Sequence, residues 1–187
     1  KKKIIFALEK RNEKNLLEEF FITEIDPQSI FIIKDKVSDT TVDILKPVYN
    51  GNPHQKVDIA ILAEGYTKSE REKFEKDLKR FVDFFFEDEP YKSQKNDFNI
   101  YGVFKPSEES GTDLPGADIF VNTVLNTTFW TLGSERYLMT EDNLSMRNLA
   151  AHVPYDAIYI QVNHPRYGGG GIYNQYCTYT TDNQFAK

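Results

Sequence analysis

A compact apolar run, Val57-Asp-Ile-Ala-Ile-Leu62, leads at once into a helix signal, and no other feature constrains the fold as tightly. The run suits a buried strand, because apolar side chains on both faces need a layer on each side. Gly65 and Tyr66 then turn the chain. Thr67 with Glu70 three residues on forms a capping box, each side chain answering a backbone N–H left over at the helix start. Phe74, Leu78, Phe81, Val82 and Phe85 fall on one face of a 3.6-residue helix, and Pro90 stops it. Phe98–Phe104 reads as the next strand, Thr140 to about His152 as a shorter helix, and Asp156–Val162 as a third buried strand. Strand–helix–strand–helix–strand predicts an α/β or α+β layer with helices packed on a sheet.

The flanks read differently. Residues 4–46 carry short apolar runs broken by polar turns: Phe20-Phe21-Ile22, Ile30-Phe-Ile-Ile33, and the alternating Thr41–Leu45. β-branched and aromatic enrichment at that spacing predicts antiparallel strands, the tail of a small β-rich domain over 1–48. The turn-rich stretch Pro47–Gln55, with Asn50-Gly-Asn-Pro53, sets the boundary, and a second domain follows over 56–187. The chain opens without Met, which reads as the inside of a longer reading frame, so no targeting signal is legible.

Composition narrows the partners. Net charge is −6 and the lysines alternate with acids, which argues against nucleic acid, since phosphate binding needs clustered cations. No run of 18 apolar residues exists to span a membrane. A single Cys177 rules out an internal disulfide and a Cys-rich zinc module.

Familiar catalytic constellations are missing. His54, His152 and His164 never stand at the i, i+4 spacing that puts two imidazoles on one helix face. A site built from all three remains open, beside the simpler reading of His152 against a helix C-terminus. Gly133-Ser-Glu135 lacks the Gly-x-Ser-x-Gly elbow, and Cys177 has no basic neighbour, so it reads as structural. The acidic loop Glu108–Asp113 could hold a hard cation, yet it lacks the spacing of a calcium hand and reads as a solvated loop.

Tyr167-Gly-Gly-Gly-Gly-Ile-Tyr-Asn174 is the most unusual local feature. Glycine lets one backbone come close to another. Ile172–Thr180 after it alternates as an edge strand would, with unpaired N–H and C=O groups to offer. Together they describe a place where an extended peptide could add as a strand, alongside the plainer reading of a flexible connection.

Asp58–Tyr66, Glu109–Asp113, Gly133–Leu138, Pro154–Ile158 and Tyr167–Asn174, in that order, resemble successive blocks of the IgA-peptidase family of zinc metallopeptidases. The likeness runs from about residue 57 to 182. It implies a zincin-like mixed sheet with packed helices, preceded by a short β-rich segment. It also implies a polypeptide substrate, export to the cell surface, periplasm or medium of a bacterium, and zinc in the parent protein. In that family the strand after the glycines leads into a His-Glu-x-x-His helix, whose histidines bind zinc and whose glutamate activates water. No residue up to Lys187 matches those ligands or that glutamate, so no catalytic or metal residue is assigned and no zinc is expected in this chain alone. The resemblance carries over Gly169, Gly170, Gly171, Ile172, Tyr173 and Asn174 as candidate substrate contacts. A non-catalytic peptide- or glycan-binding module of the same fold is the alternative.

Overall fold

A computed structural model describes residues 2–35 and 37–181, and divides the chain into two compact units, Lys1–Lys36 and Val37–Lys187. The smaller unit is an antiparallel hairpin of β1 (Ile4–Arg11) and β2 (Leu17–Ile25), with a register shift at Leu8/Glu9. Asn12 closes its turn by accepting from the N–H groups of Lys14 and Leu16. Ile5, Phe6, Phe20 and Ile22 are exposed on it. Ile30–Ile33, expected as a strand, forms turns instead, with Asp26 and Ser29 capturing nearby N–H groups.

The larger unit is a six-stranded sheet, in the order β3-β5-β4-β6-β8-β7. Its strands are β3 (Asp43–Val48), β4 (Val57–Glu64), β5 (Phe98–Phe104), β6 (Ala157–Val162), β7 (Gly169–Ile172) and β8 (Tyr176–Thr180). β4 lies parallel between β5 and β6, which is why its run is apolar on both faces. β8 is parallel to β6, while the outer strands β3 and β7 run antiparallel to their neighbours. The architecture is thus α+β with a mixed sheet. β3, expected within the β-rich flank, belongs to this sheet, because Asp43–Leu45 pairs with Gly102–Phe104.

Helix α1 (Arg71–Phe85) covers one face, burying Phe74, Leu78 and Val82 against Ile59, Ile61 and Ile100. Its entry is the predicted capping arrangement: the Glu70 carboxylate accepts from the Thr67 N–H and hydroxyl, each at 2.9 Å. Helix α2 (Asn143–Ala150) and the long connection before it cover the other face, burying Leu125, Phe129, Leu138, Met146 and Leu149 against Leu62, Val103 and Ile160. Asp142 caps α2 by accepting from the Ser145 N–H at 2.9 Å, which holds its carboxyl below the usual range.

The glycine segment departs from its expected place. Ile172–Thr180 is not one edge strand; the glycines themselves form the edge β7, and the chain reverses at Tyr173–Gln175 to return as the interior strand β8. Asn174 takes φ +57° in that reversal, and the Gln175 N–H closes it on the Ile172 carbonyl at 3.0 Å. Alternation in Tyr176–Thr180 therefore reflects two covered faces. Tyr176 points to the α2 side, and Tyr179 stacks on Phe81 of α1 with ring centroids 4.6 Å apart.

Candidate functional site

The family-like blocks lie along β4, in the long connection after β5, at the start of β6 and along β7. Asp58 and Asp156 are positional: Asp156 accepts the Asp58 N–H at 2.8 Å, and Asp58 accepts from Asn99 at 2.9 Å. Glu64 ends β4 fully buried. Its carboxylate accepts from the Thr123 hydroxyl (2.6 Å), the Leu125 N–H (2.8 Å), and the Thr127 N–H and hydroxyl (2.9 and 3.0 Å). Burial pushes its pKa up, and those donors partly offset the shift. The group organises the 123–127 loop, a role its isolation at the end of an apolar strand hints at in the sequence. Gly65 follows at φ +70°, where a Cβ would sit 1.8 Å from the Gly111 carbonyl oxygen. Two blocks far apart in sequence touch there through backbone alone.

Beyond them lies a polar cluster. Asn163 donates to the Gly65 carbonyl and to Glu70, both at 2.9 Å, and the Ser110 hydroxyl donates to Glu70 at 2.9 Å. Partial burial raises the pKa of Glu70, but the bonds from Thr67, Asn163 and Ser110 outweigh it and hold the carboxyl below its ordinary value. The acidic loop also has partners: Glu108 and Glu109 accept from the Asn122 side chain and N–H, each at 2.6 Å. These carboxylates fasten the 119–122 segment, which accounts for them as structure.

Among the described residues no three His, Cys, Asp or Glu side chains are placed to hold a metal ion. His54 lies in the turn before β4, His152 follows α2 with Nδ1 3.0 Å from the Leu149 carbonyl, and His164 packs edge-on to Phe129 after β6. The structure does not bring the histidines together, and the described side chains do not suit zinc. Cys177 is half-buried, and loss of solvent pushes its thiol up to about 12, so little thiolate forms at neutral pH.

What remains chemically available is the β7 edge. Segment 136–138 already covers its first half: the Gly169 N–H donates to the Arg136 carbonyl at 3.1 Å, and the Gly169 carbonyl accepts from the Leu138 N–H at 3.4 Å. Two residues on, Gly171 turns its N–H and C=O to the same outer side. No described backbone group meets them there. Of the candidate substrate contacts, Gly169 and Gly170 pack against this chain's own residues. A Cβ on Gly170 would meet Met139 at 3.1 Å, and one on Gly169 would meet the Thr178 carbonyl oxygen at 2.5 Å. Gly171, Ile172, Tyr173 and Asn174 form the open part, with Tyr173 92% exposed. The close neighbours of these glycines are this chain's own: Phe129 and the Arg136 carbonyl at Gly168, the Thr178 carbonyl at Gly169 and the Met139 side chain at Gly170.

A recess flanks the open part on each face of the sheet. One, of about 330 Å³, lies beside β6 and the reversal, lined by Asp156, Tyr159 and Cys177. The other, of about 340 Å³, lies on the α2 side, lined by Leu132, Met139, Glu141 and Ile172. Sequence reasoning missed this second wall; the block Gly133–Leu138 signals it, but only folding lays it beside β7. No helix among the described residues is long and apolar enough to cross a membrane.

No curated protein matches the chain. A family model described as IgA Peptidase M64 matches residues 45–187, which takes in every strand of the sheet but the first residues of β3. With most of its length matched, the chain belongs to the IgA peptidase M64 family.

Proposed function

We propose that this chain is the N-terminal portion of a zinc-dependent endopeptidase, supplying the rim that holds a polypeptide substrate extended. The observation that carries the reading is the Gly171–Tyr173 edge: outward backbone groups at Gly171, with a recess on each face, in a member of a peptidase family. An extended peptide laid along it would bond through its backbone and send alternate side chains to opposite faces. Zinc, when bound in the parent protein, would supply an activated water; the described residues contribute strand pairing and orientation only. Export from a bacterial cell belongs to the same proposal.

The parent protein, purified with the residues that follow Lys187, is expected to hold zinc in stoichiometric amount by elemental analysis and to cleave a quenched fluorescent peptide. Gly171→Pro removes the outward N–H and is expected to raise KM with kcat nearly kept, because ground-state and transition-state binding weaken together. Zinc-free protein that binds peptides without cleaving them would favour the non-catalytic module.

A further inference from the structure

The recess on the α2 side of β7 has a composition of its own. Its walls are the side chains of Leu132, Tyr137, Met139, Ile172 and Tyr176, and Glu141 is the acidic residue among its lining. Glu141 is exposed and makes no ion pair among the described residues. The remaining lining, Thr131, Thr140, Gly170 and Gly171, carries no charge. Such a site is a mostly apolar recess with one anionic group.

The recess is also braced. The Tyr176 hydroxyl donates to the Thr140 carbonyl at 2.5 Å and accepts from the Thr140 N–H at 3.1 Å, so the start of β8 is tied to the 139–141 wall. Met139 exchanges both backbone bonds with Thr128, its N–H donating at 3.1 Å and its carbonyl accepting at 2.9 Å. Thr140 in turn donates its hydroxyl to the Leu125 carbonyl at 2.5 Å. The Gln175 side chain donates to Asn143 at the start of α2. Walls fixed this way lose little entropy when a guest arrives.

We propose that this recess is a side-chain subsite for a basic residue, Lys or Arg, of the peptide paired with β7. The reading rests on the edge as a peptide site. Gly170 and Ile172 share the face that opens into the recess, Gly170 directing its would-be Cβ at Met139. A peptide residue facing the same way sends its side chain between Ile172 and Met139. Lys and Arg pair an aliphatic stem with a charged tip, so the stem covers Leu132 and Met139 while the tip meets Glu141. A purely apolar guest leaves the carboxylate unanswered, and an acidic guest meets like charge.

The test uses this chain and fluorescein-labelled, end-capped decapeptides of alternating Thr and Val that differ only at one central residue: Lys, norleucine, Phe or Glu. Anisotropy is expected to rank Lys first, about fivefold tighter than norleucine, as a partly exposed ion pair allows, with Glu weakest. Glu141→Gln, an exposed and nearly isosteric change, is expected to erase the Lys advantage while norleucine binds as before. Glu141→Lys is expected to reverse the order of Lys and Glu. Equal binding of Lys and norleucine, first rank for Phe, or a Lys preference that survives Glu141→Gln overturns the subsite while leaving the edge intact. Binding that is unchanged when alternate peptide amides are N-methylated, or no binding by any peptide, overturns the edge reading and the subsite with it.

Discussion

The two edges of the sheet solve one problem in opposite ways. β3 ends the sheet on one side with Lys46 and Pro47 inside it and a register shift between Leu45 and Val48. Proline removes a donor, lysine keeps a charge at the border and the shift twists the strand, so another chain cannot pair along it easily. β7 ends the other side with glycines and no charge. Its first half is sealed by segment 136–138, and the half from Gly171 onward stays open. A sheet whose borders were merely unfinished would guard both or neither. A guarded β3 beside a half-open β7 is what the proposed peptide site at β7 requires.

The comparison breaks most sharply if the glycines are altered one at a time. Gly169→Val would drive a Cβ to 2.5 Å from the Thr178 carbonyl oxygen, and a backbone oxygen within a ladder cannot easily retreat. A loss of about 1–3 kcal/mol is expected from chemical denaturation. Gly171→Ala places its Cβ 3.4 Å from the Cβ of Cys177, an ordinary contact, and is expected to change stability by less than about 0.5 kcal/mol. Equal losses at both positions would mean that the open half is packed as tightly as the sealed half.

A smaller effect probes the wall that supports the open edge. Asp142→Ala removes the cap of α2 and is expected to cost about 1 kcal/mol in thermal or urea unfolding. The folded pKa of Asp142 lies below its unfolded value, chiefly through the bond from the Ser145 N–H and also through the Ser145 and Asn126 side chains. The contribution is therefore fully present above the unfolded value of about 3.8 and is lost as pH falls through the lower folded value. The gap between wild type and variant should close on that acid limb. A gap that widens there would remove the cap as the cause.

The smallest effect on stability lies at the guarded border. Lys46→Thr with Pro47→Val restores a donor and removes the charge, and is expected to shift stability by no more than about 0.5 kcal/mol. Its readout is association: sedimentation should reveal concentration-dependent dimers absent from the wild type. A monomeric double variant would show that the register shift alone suffices to guard β3.

How far the residues announced all this depends on whether the signal was local. Thr67, Glu70 and the Phe74–Phe85 stripe fix α1 within a few turns of chain, and the apolar runs of β4, β5 and β6 need only their own side chains to declare burial. The Thr41–Leu45 alternation declared a strand but not its sheet, because the partner, Gly102–Phe104, lies some sixty residues on. The glycines declared a close approach without naming what approached. Phe129, Arg136 and Met139 come to them through non-local packing that no window of sequence contains.

The sequence by itself determined the strand–helix–strand–helix–strand order of the central layer, the capping box before α1 and the family, since each rests on short-range patterns or ordered blocks. Only the tertiary structure decided that the glycines are the edge rather than its lead-in, that Gly169 is spoken for while Gly171 is open, and that Glu141 stands beside an apolar recess. Which face a strand offers, and to whom, is set by the chain lying next to it. That neighbour is chosen by burial and backbone pairing over the whole sheet.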